Sequence, residues 1–348
     1  MTRESDFSRL ETALRCGEPD YVPMVELGIA KNIKEAFMDR HVETMQDEID
    51  FSVAAGYDYI KLQPIIDMNP ARIGIGERQT TKKVDGTDRT WATEHEGIIS
   101  DWESFDKYVW PKIEDISYER FEKILPILPE GMKVIGQYGD IFTMVWEMMG
   151  FENFSMALYT HPDLVQALFD KIGERILSMY ENMVTMDVVG AIWYTDDIAY
   201  ASGLMIAPDA LKHYLFPWIK KIGDFAKENN LPFMYHSDGV LFDVLDDLMD
   251  CGVNALHPIE PKAMDIVEVK KRGKGKLCVI GNMDLGYTLT RGTPKETEAE
   301  ALEKLRKVAP GGGYCLGSSN SIPDYVKPEN FKAMVETCKK YGKYPINV

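Results

Sequence analysis

Eight short apolar runs recur along the chain, and most are followed by a longer stretch whose apolar residues repeat with helical period. Runs rich in Val, Ile, Leu and aromatic residues that alternate with amphipathic helices are typical of βα units around a parallel sheet. The predicted strands are residues 22–28, 57–63, 133–138, 191–194, 232–236, 255–259, 277–281 and 314–317. The pattern predicts the α/β class and a single (β/α)8 TIM barrel, with residues 1–348 as one domain.

Helices are predicted between these runs at residues 162–185, 208–229, 240–251, 294–308 and 327–341. Between the second and third runs, residues 70–111 break the rhythm with a polar stretch. We interpret this stretch as an insertion that contains a β-hairpin with an Asp85-Gly86 turn. Because it follows a strand, the alternative that it covers a substrate on the catalytic face stays open.

Composition and charge narrow the classes of function. Apolar residues make up 45% of the chain and charged residues 27%, so the chain can bury a sizeable core. Acidic residues outnumber basic ones by 56 to 39, and the formal charge of -17 repels nucleic acid and anionic membrane surfaces. The first residues lack the apolar segment of a signal peptide, and no run approaches the roughly 18 apolar residues of a membrane span. We therefore expect a cytoplasmic protein without nucleic-acid or membrane partners.

Polar residues follow the apolar runs, and a barrel of parallel strands brings such strand ends together on one face. The candidate catalytic residues are His236, Asp238, Glu260, Asp196 and Asp197. The candidate substrate-binding residues are Glu26, Gln137, Tyr138, Trp193, Tyr194, His257 and Asn282.

The sharpest cluster is Tyr-His-Ser-Asp-Gly at residues 235–239, after the fifth run. His236 offers an imidazole nitrogen to a divalent cation, or it acts as a general acid or base near neutral pH. Asp238 is a second ligand, or it caps the helix that follows. Glu260 lies between two prolines that fix its turn, and it completes a predicted metal site with His236 and Asp238.

Two further strand ends leave alternatives open. Asp196 and Asp197 are adjacent carboxylates that hold a shared proton or a cation, unless one of them caps a helix or lies in solvent. Two interpretations of His257 also stay open. It is either a functional residue or a buried core residue with satisfied hydrogen bonds.

The chain resembles the uroporphyrinogen decarboxylase superfamily, especially its methyltransferase-like members. The similar segments are Leu-Glu-Thr-Ala-Leu-Arg-Cys-Gly-Glu-Pro-Asp-Tyr-Val-Pro at 10–23, Asp196-Asp197 with residues 203–208, His-Ser-Asp-Gly at 236–239, His-Pro-Ile-Glu-Pro at 257–261, Ile-Gly-Asn-Met-Asp at 280–284 and Gly-Gly-Gly-Tyr at 311–314. The resemblance implies a (β/α)8 barrel that uses these strand ends.

Two departures from the family pattern bear on the activity. Decarboxylases of the family follow the Val-Pro element with an arginine-containing segment, whereas Val22-Pro23 is followed here by a segment with Glu26, which repels a substrate bearing several carboxylates. Thiol-activating methyltransferases hold zinc with a His-x-Cys pair and a later Cys. Asp238 stands here at the first thiolate position, which implies an oxygen-rich site where zinc is the possible ion.

The resulting hypothesis is a methyltransferase that moves a methyl group from a small methoxylated aromatic or N-methyl compound to the Co(I) of a separate corrinoid protein. The chain carries no Asp-x-His-x-x-Gly corrinoid-binding element, so the corrinoid is expected on a partner. A decarboxylase of a tetrapyrrole or small acid, with Lys61 as its cation, and a non-catalytic ligand-binding barrel are the alternatives. A homodimer is also left open.

Overall fold

The computed structural model describes residues 4–66, 78–82, 88–92 and 97–348. The strands are β1 Tyr59–Leu62, β2 Arg78–Lys82, β3 Asp88–Ala92, β4 Lys133–Gly139, β5 Val189–Thr195, β6 Ala199–Tyr200, β7 Gly203–Leu204, β8 Phe233–His236, β9 Ala255–His257, β10 Cys278–Ile280 and β11 Tyr314–Cys315. The α-helices are α1 Phe7–Leu14, α2 Lys31–Met38, α3 Met45–Ala55, α4 Trp102–Lys107, α5 Glu119–Ile124, α6 Ile141–Met149, α7 Phe151–Thr160, α8 Pro162–Met183, α9 Pro208–Tyr214, α10 Phe216–Glu228, α11 Leu245–Asp250, α12 Ile266–Arg272, α13 Pro294–Val308 and α14 Pro328–Tyr341.

One parallel sheet carries the fold, in the order β1, β4, β5, β8, β9, β10, β11. Each neighbouring pair in this sheet is parallel, and the order follows the chain. Seven of the eight predicted runs therefore supply its strands. The predicted α/β class with a parallel sheet is confirmed, whereas the first run of the predicted (β/α)8 barrel is not a strand of this sheet.

The first predicted run, residues 22–28, forms one isolated bridge instead of a continuous strand. Met24 is bridged in parallel to Leu316, beside β11. Toward β1, the hydroxyl of Tyr59 accepts a hydrogen bond from the Glu26 amide (2.9 Å) and donates one to the Glu26 carbonyl (3.1 Å). This hydroxyl forms hydrogen bonds with the main-chain groups of Glu26 that a neighbouring strand would use. Among the described residues, no β-pairing joins residues 22–28 to β1. We refer to the boundary between residues 22–28 and β1 as the seam.

Two of the predicted helices differ clearly from the observed ones. The helix predicted over residues 240–251 is shorter in the structure and spans Leu245–Asp250. The prediction for residues 294–308 matches α13. The helix predicted over residues 208–229 is divided into α9 and α10 at Leu215, because Pro217 has no amide hydrogen with which to continue the first helix. None of the helices in the described ranges is long and apolar enough to cross a membrane.

The chain between β1 and β4 contains a second, small sheet. Strands β2 and β3 pair antiparallel, with Arg78 opposite Ala92 and Lys82 opposite Asp88. The predicted Asp85-Gly86 turn lies outside the described residues. The interpretation of residues 70–111 as an insertion that contains a hairpin, and the alternative that they cover a substrate, both stay predictions.

The carboxyl ends of three central strands are in register. Thr195 of β5 pairs with His236 of β8, and His236 pairs with His257 of β9. Residues that pair in this way project to the same face of the sheet. The two histidine rings consequently lie side by side, with centroids 5.0 Å apart.

Candidate functional site

The turn after β8 is held by two carboxylates from neighbouring strand ends. The Asp238 amide donates to Oδ1 of Asp197 (2.8 Å), and the next amide, of Gly239, donates to Oε2 of Glu260 (2.9 Å). Gly239 has a φ of +86°, and a Cβ there would lie 2.5 Å from the carbonyl oxygen of Tyr200, so only glycine fits without a shift. The turn therefore fixes the direction in which the Asp238 side chain projects.

Asp197, His236 and Asp238 bring three potential ligand atoms within 4.8 Å of one another. Nε2 of His236 lies 3.6 Å from Oδ1 of Asp197 and 4.0 Å from Oδ1 of Asp238. These separations are too long for direct hydrogen bonds. Neighbouring ligands of a tetrahedral zinc ion, whose bonds are about 2.0–2.2 Å long, lie roughly 3.3–3.6 Å apart. The separation to Asp197 matches this range, and the separation to Asp238 is longer. We refer to these residues as the triad.

The oxygens of Asp238 provide a test of whether a cation fits. Oδ2 accepts a hydrogen bond from Nδ2 of Asn320 (2.6 Å), whereas Oδ1 is buried and has no hydrogen-bond partner among the described residues. Burial, followed by the negative charges of Asp197 and Glu260, raises the pKa of Asp238 to about 8. A cation beside Oδ1 would satisfy this oxygen and offset the repulsion, so the triad fits a divalent ion.

His257 supports His236 from behind. Their Nδ1 atoms are 2.8 Å apart, and His257 is fully buried. Burial lowers the pKa of both imidazoles, so both rings are neutral at neutral pH and one of them donates to the other. If Nδ1 of His236 donates, its Nε2 lone pair faces the two carboxylates. A ligating histidine that donates its other N–H to a neighbour is the usual arrangement in metal sites.

Glu260, predicted as the third metal ligand, does not join the triad. Its Oε2 accepts the Gly239 amide, and its Oε1 lies 3.3 Å from Nζ of Lys262. The structure instead brings Asp197 to His236 and Asp238. The sequence analysis placed Asp197 among the catalytic candidates, with a cation as one of its open roles, but outside the predicted metal site.

Asp196 anchors α6 to the end of β5. Its carboxylate accepts hydrogen bonds from the amides of Phe142 (2.7 Å) and Thr143 (3.0 Å), from the Thr143 hydroxyl (2.8 Å) and from the Tyr194 hydroxyl (2.6 Å). The first amides of a helix lack partners within it, so this carboxylate caps α6 from a distant part of the sequence. The two adjacent acids therefore have different surroundings, with Asp197 at the triad.

A cavity of about 220 Å³ lies beside the triad at the ends of β1, β4 and β5, and His236 and Asp197 line it. Its wall contains a hydrogen-bonded series in which Nε2 of Gln63 donates to Oε1 of Gln137 (2.9 Å), and Nε2 of Gln137 donates to Oγ1 of Thr195 (3.1 Å). This series fixes the side chain of Gln137, a predicted substrate-binding residue, in the wall of the cavity.

Tyr138, another predicted substrate-binding residue, also lines this cavity. Its hydroxyl donates to the carbonyl of Ile66 (3.0 Å). On the other side of the triad, a larger cavity of about 450 Å³ is lined by Asp238 and Glu260 together with the exposed Tyr325. The triad therefore lies between two cavities.

Three further residues predicted to bind substrate are buried behind the site. Trp193 and Tyr194 are fully buried, and the Trp193 ring packs edge-on against His257 at 5.2 Å. Asn282 donates to the carbonyl of Ile259 (2.7 Å), and its buried Oδ1 has no partner within the described part of the chain. These residues support the site, whereas Gln137 and Tyr138 reach its surface.

Glu26 lies at the seam, buried against Ser318. Its Oε1 accepts the Ser318 amide (2.8 Å), and its Oε2 is 2.5 Å from the Ser318 Oγ, which is also 2.9 Å from the carbonyl of Asn320. One hydroxyl hydrogen serves only one of these two acceptors. Both contacts are satisfied when Glu26 carries a proton and donates it to Oγ. Burial raises the pKa of Glu26 to about 8, in agreement with a neutral side chain.

Asn320 is a residue of the site whose role the sequence did not indicate. It follows the eighth run, but its partner Asp238 is 82 positions away and no spacing or motif connects the two. Only the folded chain brings them together.

Comparison with known proteins gives a consistent pattern. A family model described as Uroporphyrinogen decarboxylase (URO-D) matches residues 96–341. The methylcobamide:CoM methyltransferase MtaA of Methanosarcina barkeri is 27% identical over 221 residues, which cover 63% of this chain and 60% of that protein. The methylcobamide:CoM methyltransferase MtbA of Methanosarcina acetivorans is 26% identical over 263 residues, which cover 70% of this chain and 74% of that protein.

A uroporphyrinogen decarboxylase of Anaeromyxobacter dehalogenans is 24% identical over 220 residues, covering 62% of this chain and 60% of that protein. The match therefore spans about 60% of the length of this relative and of MtaA. A solved structure of a methyltransferase from Methanosarcina mazei superimposes with a TM-score of 0.68 at 18% identity, over 97% of this chain and 99% of that chain. At this identity the likeness shows a shared fold.

Proposed function

Because the chain belongs to the uroporphyrinogen decarboxylase family, we propose that it transfers a methyl group from a small O-methyl substrate, such as a methoxylated aromatic compound, or an N-methyl substrate to the Co(I) of a separate corrinoid protein. Similarity to MtaA and MtbA supports a corrinoid-linked methyl transfer. The observation that carries the proposal is the triad, in which the unpartnered Oδ1 of Asp238 lies opposite Nε2 of His236.

Asp197, His236 and Asp238 are the residues that we assign to a divalent cation, and zinc suits two carboxylates and one imidazole. When bound, such an ion supplies a Lewis acid that stabilises negative charge on a departing oxygen. The protein's part is to hold the three donors in place, through the amide of Asp238 for Asp197 and through His257 for His236.

The 220 Å³ cavity is the site that we assign to the methyl donor, because His236 and Asp197 line it. The series from Gln63 through Gln137 to Thr195 fixes polar groups in its wall. Fixed groups of this kind orient a small substrate and remove part of the entropic barrier to reaction. For an O-methyl donor, the carbon–oxygen bond breaks with both electrons going to oxygen, and the methyl group bonds to cobalt.

Decarboxylation of a substrate with several carboxylates is disfavoured by the charges at the site. Asp197 and Glu260 place two carboxylates beside the turn after β8. An anionic substrate with several charges would be repelled there, whereas a neutral or cationic methyl donor would not.

The test combines the full chain, zinc, a corrinoid protein reduced to Co(I), and a panel of methoxylated aromatic and N-methyl compounds under anaerobic conditions. We expect the absorbance of Co(I) to be replaced by that of the methylated corrinoid with at least one donor. Asp238→Asn should abolish the change, and Asp246→Asn, at an exposed carboxylate of α11, should leave it intact. Failure of every donor with zinc-loaded protein would contradict the proposal.

A further inference from the structure

A cavity of about 490 Å³ lies at the seam, separate from the two cavities beside the triad. It extends between residues 26–29, helix α3 and strand β1, and none of Asp197, His236 and Asp238 lines it. Phe51, Tyr59 and Leu62 give it an apolar wall. A volume of this size lies within the range of small-molecule sites, which is about 300–1,000 Å³.

Lys61 is one of the residues that line this cavity. Nζ donates to the carbonyl of Leu27 and lies 5.8 Å from the ring of Trp193. Within residues 4–66, 78–82, 88–92 and 97–348, no carboxylate lies within 4.0 Å of it, although an ammonium has three hydrogens to donate. Burial, and to a smaller extent the charge of Lys34, lowers the pKa of Lys61 to about 8, so the group is still mostly charged at neutral pH.

The acidic side chains that line the cavity do not neutralise the positive charge of Lys61. Glu48 is paired with Lys34 at 2.6 Å, and Glu43 lies 3.5 Å from Lys31. Glu26 is neutral when it donates to Ser318, as its contacts require. A buried ammonium without a counter-ion is unfavourable, so an anion that entered the cavity would be stabilised by Lys61.

We propose that the seam cavity binds a small organic monocarboxylate, with the carboxylate at Lys61 and the apolar body against Phe51, Tyr59 and Leu62. The apolar wall, and the pairing of Lys34 with Glu48, favour this class over inorganic phosphate, which carries more charge and no apolar body. The proposal requires neither a metal nor methyl transfer, because the triad does not line the cavity. It therefore goes beyond the proposed function and can fail independently of it.

The experiment titrates the full chain, treated with EDTA, with benzoate and with the neutral, nearly isosteric benzamide. Binding is followed by calorimetry and by tryptophan fluorescence, since Trp193 lies beside Lys61. We expect benzoate to bind at least about tenfold more tightly than benzamide, the gain typical of hydrogen bonds between charged groups. Equal binding of the two probes, or no benzoate binding at ~10 mM, would overturn the proposal.

Variants then locate the site. Lys61→Met should reduce benzoate binding to the level of benzamide, whereas Lys262→Met, at an exposed lysine that lines the 450 Å³ cavity, should leave it unchanged. If benzoate binding depended on Lys262 and not on Lys61, the proposal would be wrong. If Lys61→Met fails to fold, the comparison of benzoate with benzamide in the wild-type protein still tests the proposal. NMR of labelled lysine Cε adds a second measurement, in which benzoate must shift the Lys61 resonance.

Discussion

Nδ1 of His236 lies 2.8 Å from Nδ1 of the fully buried His257, so the two imidazoles form one hydrogen-bonded unit below the triad. We predict that His257→Phe lowers zinc affinity by about 10–100-fold, the effect typical of losing the group that orients a ligating histidine. Without its acceptor, His236 is free to rotate or to place its proton on Nε2. Competition with a chromophoric chelator measures the affinity.

His257→Gln is the matched control, because its Oε1 can accept the hydrogen bond from His236. It should retain more zinc affinity than His257→Phe, and ¹⁵N NMR should still report the Nδ1–H form of His236. Urea unfolding of both variants separates an effect on the metal from an effect on the fold. Wild-type affinity in a folded His257→Phe would show that His257 does not position His236.

The structure and the sequence-based prediction differ in the third metal ligand, which is Asp197 in the triad and Glu260 in the prediction. Asp197→Asn should lower zinc affinity more than about tenfold, because it removes a triad oxygen 3.6 Å from Nε2 of His236. Glu260→Gln should have the smaller effect, since Glu260 contacts the Gly239 amide and Lys262. Zinc retained after dialysis, measured by atomic emission, ranks the two variants. The opposite order would identify Glu260 as the ligand.

The raised pKa of Glu26 should make the stability of the protein fall as the pH rises. Its pKa is about 8 in the folded protein against about 4.5 for a glutamate in the unfolded chain, so the folded state holds this proton over a range where the unfolded chain has lost it. Raising the pH from about 4.5 to about 8 therefore favours unfolding, by at most about 5 kcal/mol. Below that window the stabilising contribution is fully present.

Glu26→Gln does not titrate and should escape this loss. Urea unfolding between pH 5 and 9 should show its stability rising relative to wild type as the pH increases. Glu336→Gln, at an exposed carboxylate of α14, is the control and should follow the wild-type profile. Parallel curves for Glu26→Gln and wild type would mean that Glu26 is ionised in the fold.

Asp196 should contribute to stability and not to metal binding. Asp196→Asn replaces an acceptor of four hydrogen bonds with an amide that turns donors toward the first amides of α6, and we expect a loss of about 1–3 kcal/mol in the free energy of unfolding. Urea unfolding measures it, with Asp246→Asn as the exposed control. A variant with wild-type stability and no bound zinc would reverse the roles assigned to Asp196 and Asp197.

The sequence located the candidate residues at the ends of predicted strands, but it did not predict their contacts. His236 and Asp238 were identifiable because a polar pair directly after an apolar run must lie at the barrel face. The division of roles between Asp196 and Asp197 was not, because it depends on the amides of Phe142 and Thr143, more than 50 positions away. Glu260 was assigned to the metal because the sequence does not reveal that the Gly239 amide binds it.

The same limit applies to the fold. Apolar runs predicted seven strands of the sheet, but the run at residues 22–28 looks like the others and pairs differently. The hydroxyl of Tyr59 takes the place of a main-chain partner at Glu26, and nothing in the hydrophobic pattern distinguishes this tyrosine from a core residue.

The seam also contains two side-chain contacts, each of which a point substitution can remove. Elsewhere in the sheet, neighbouring strands are joined by main-chain hydrogen bonds, which almost any side chain preserves. At the seam, Tyr59 and Lys61 reach the main chain of Glu26 and Leu27 with their side chains. Evolution can therefore widen or narrow this boundary by changing two residues, without rebuilding the sheet that holds the triad.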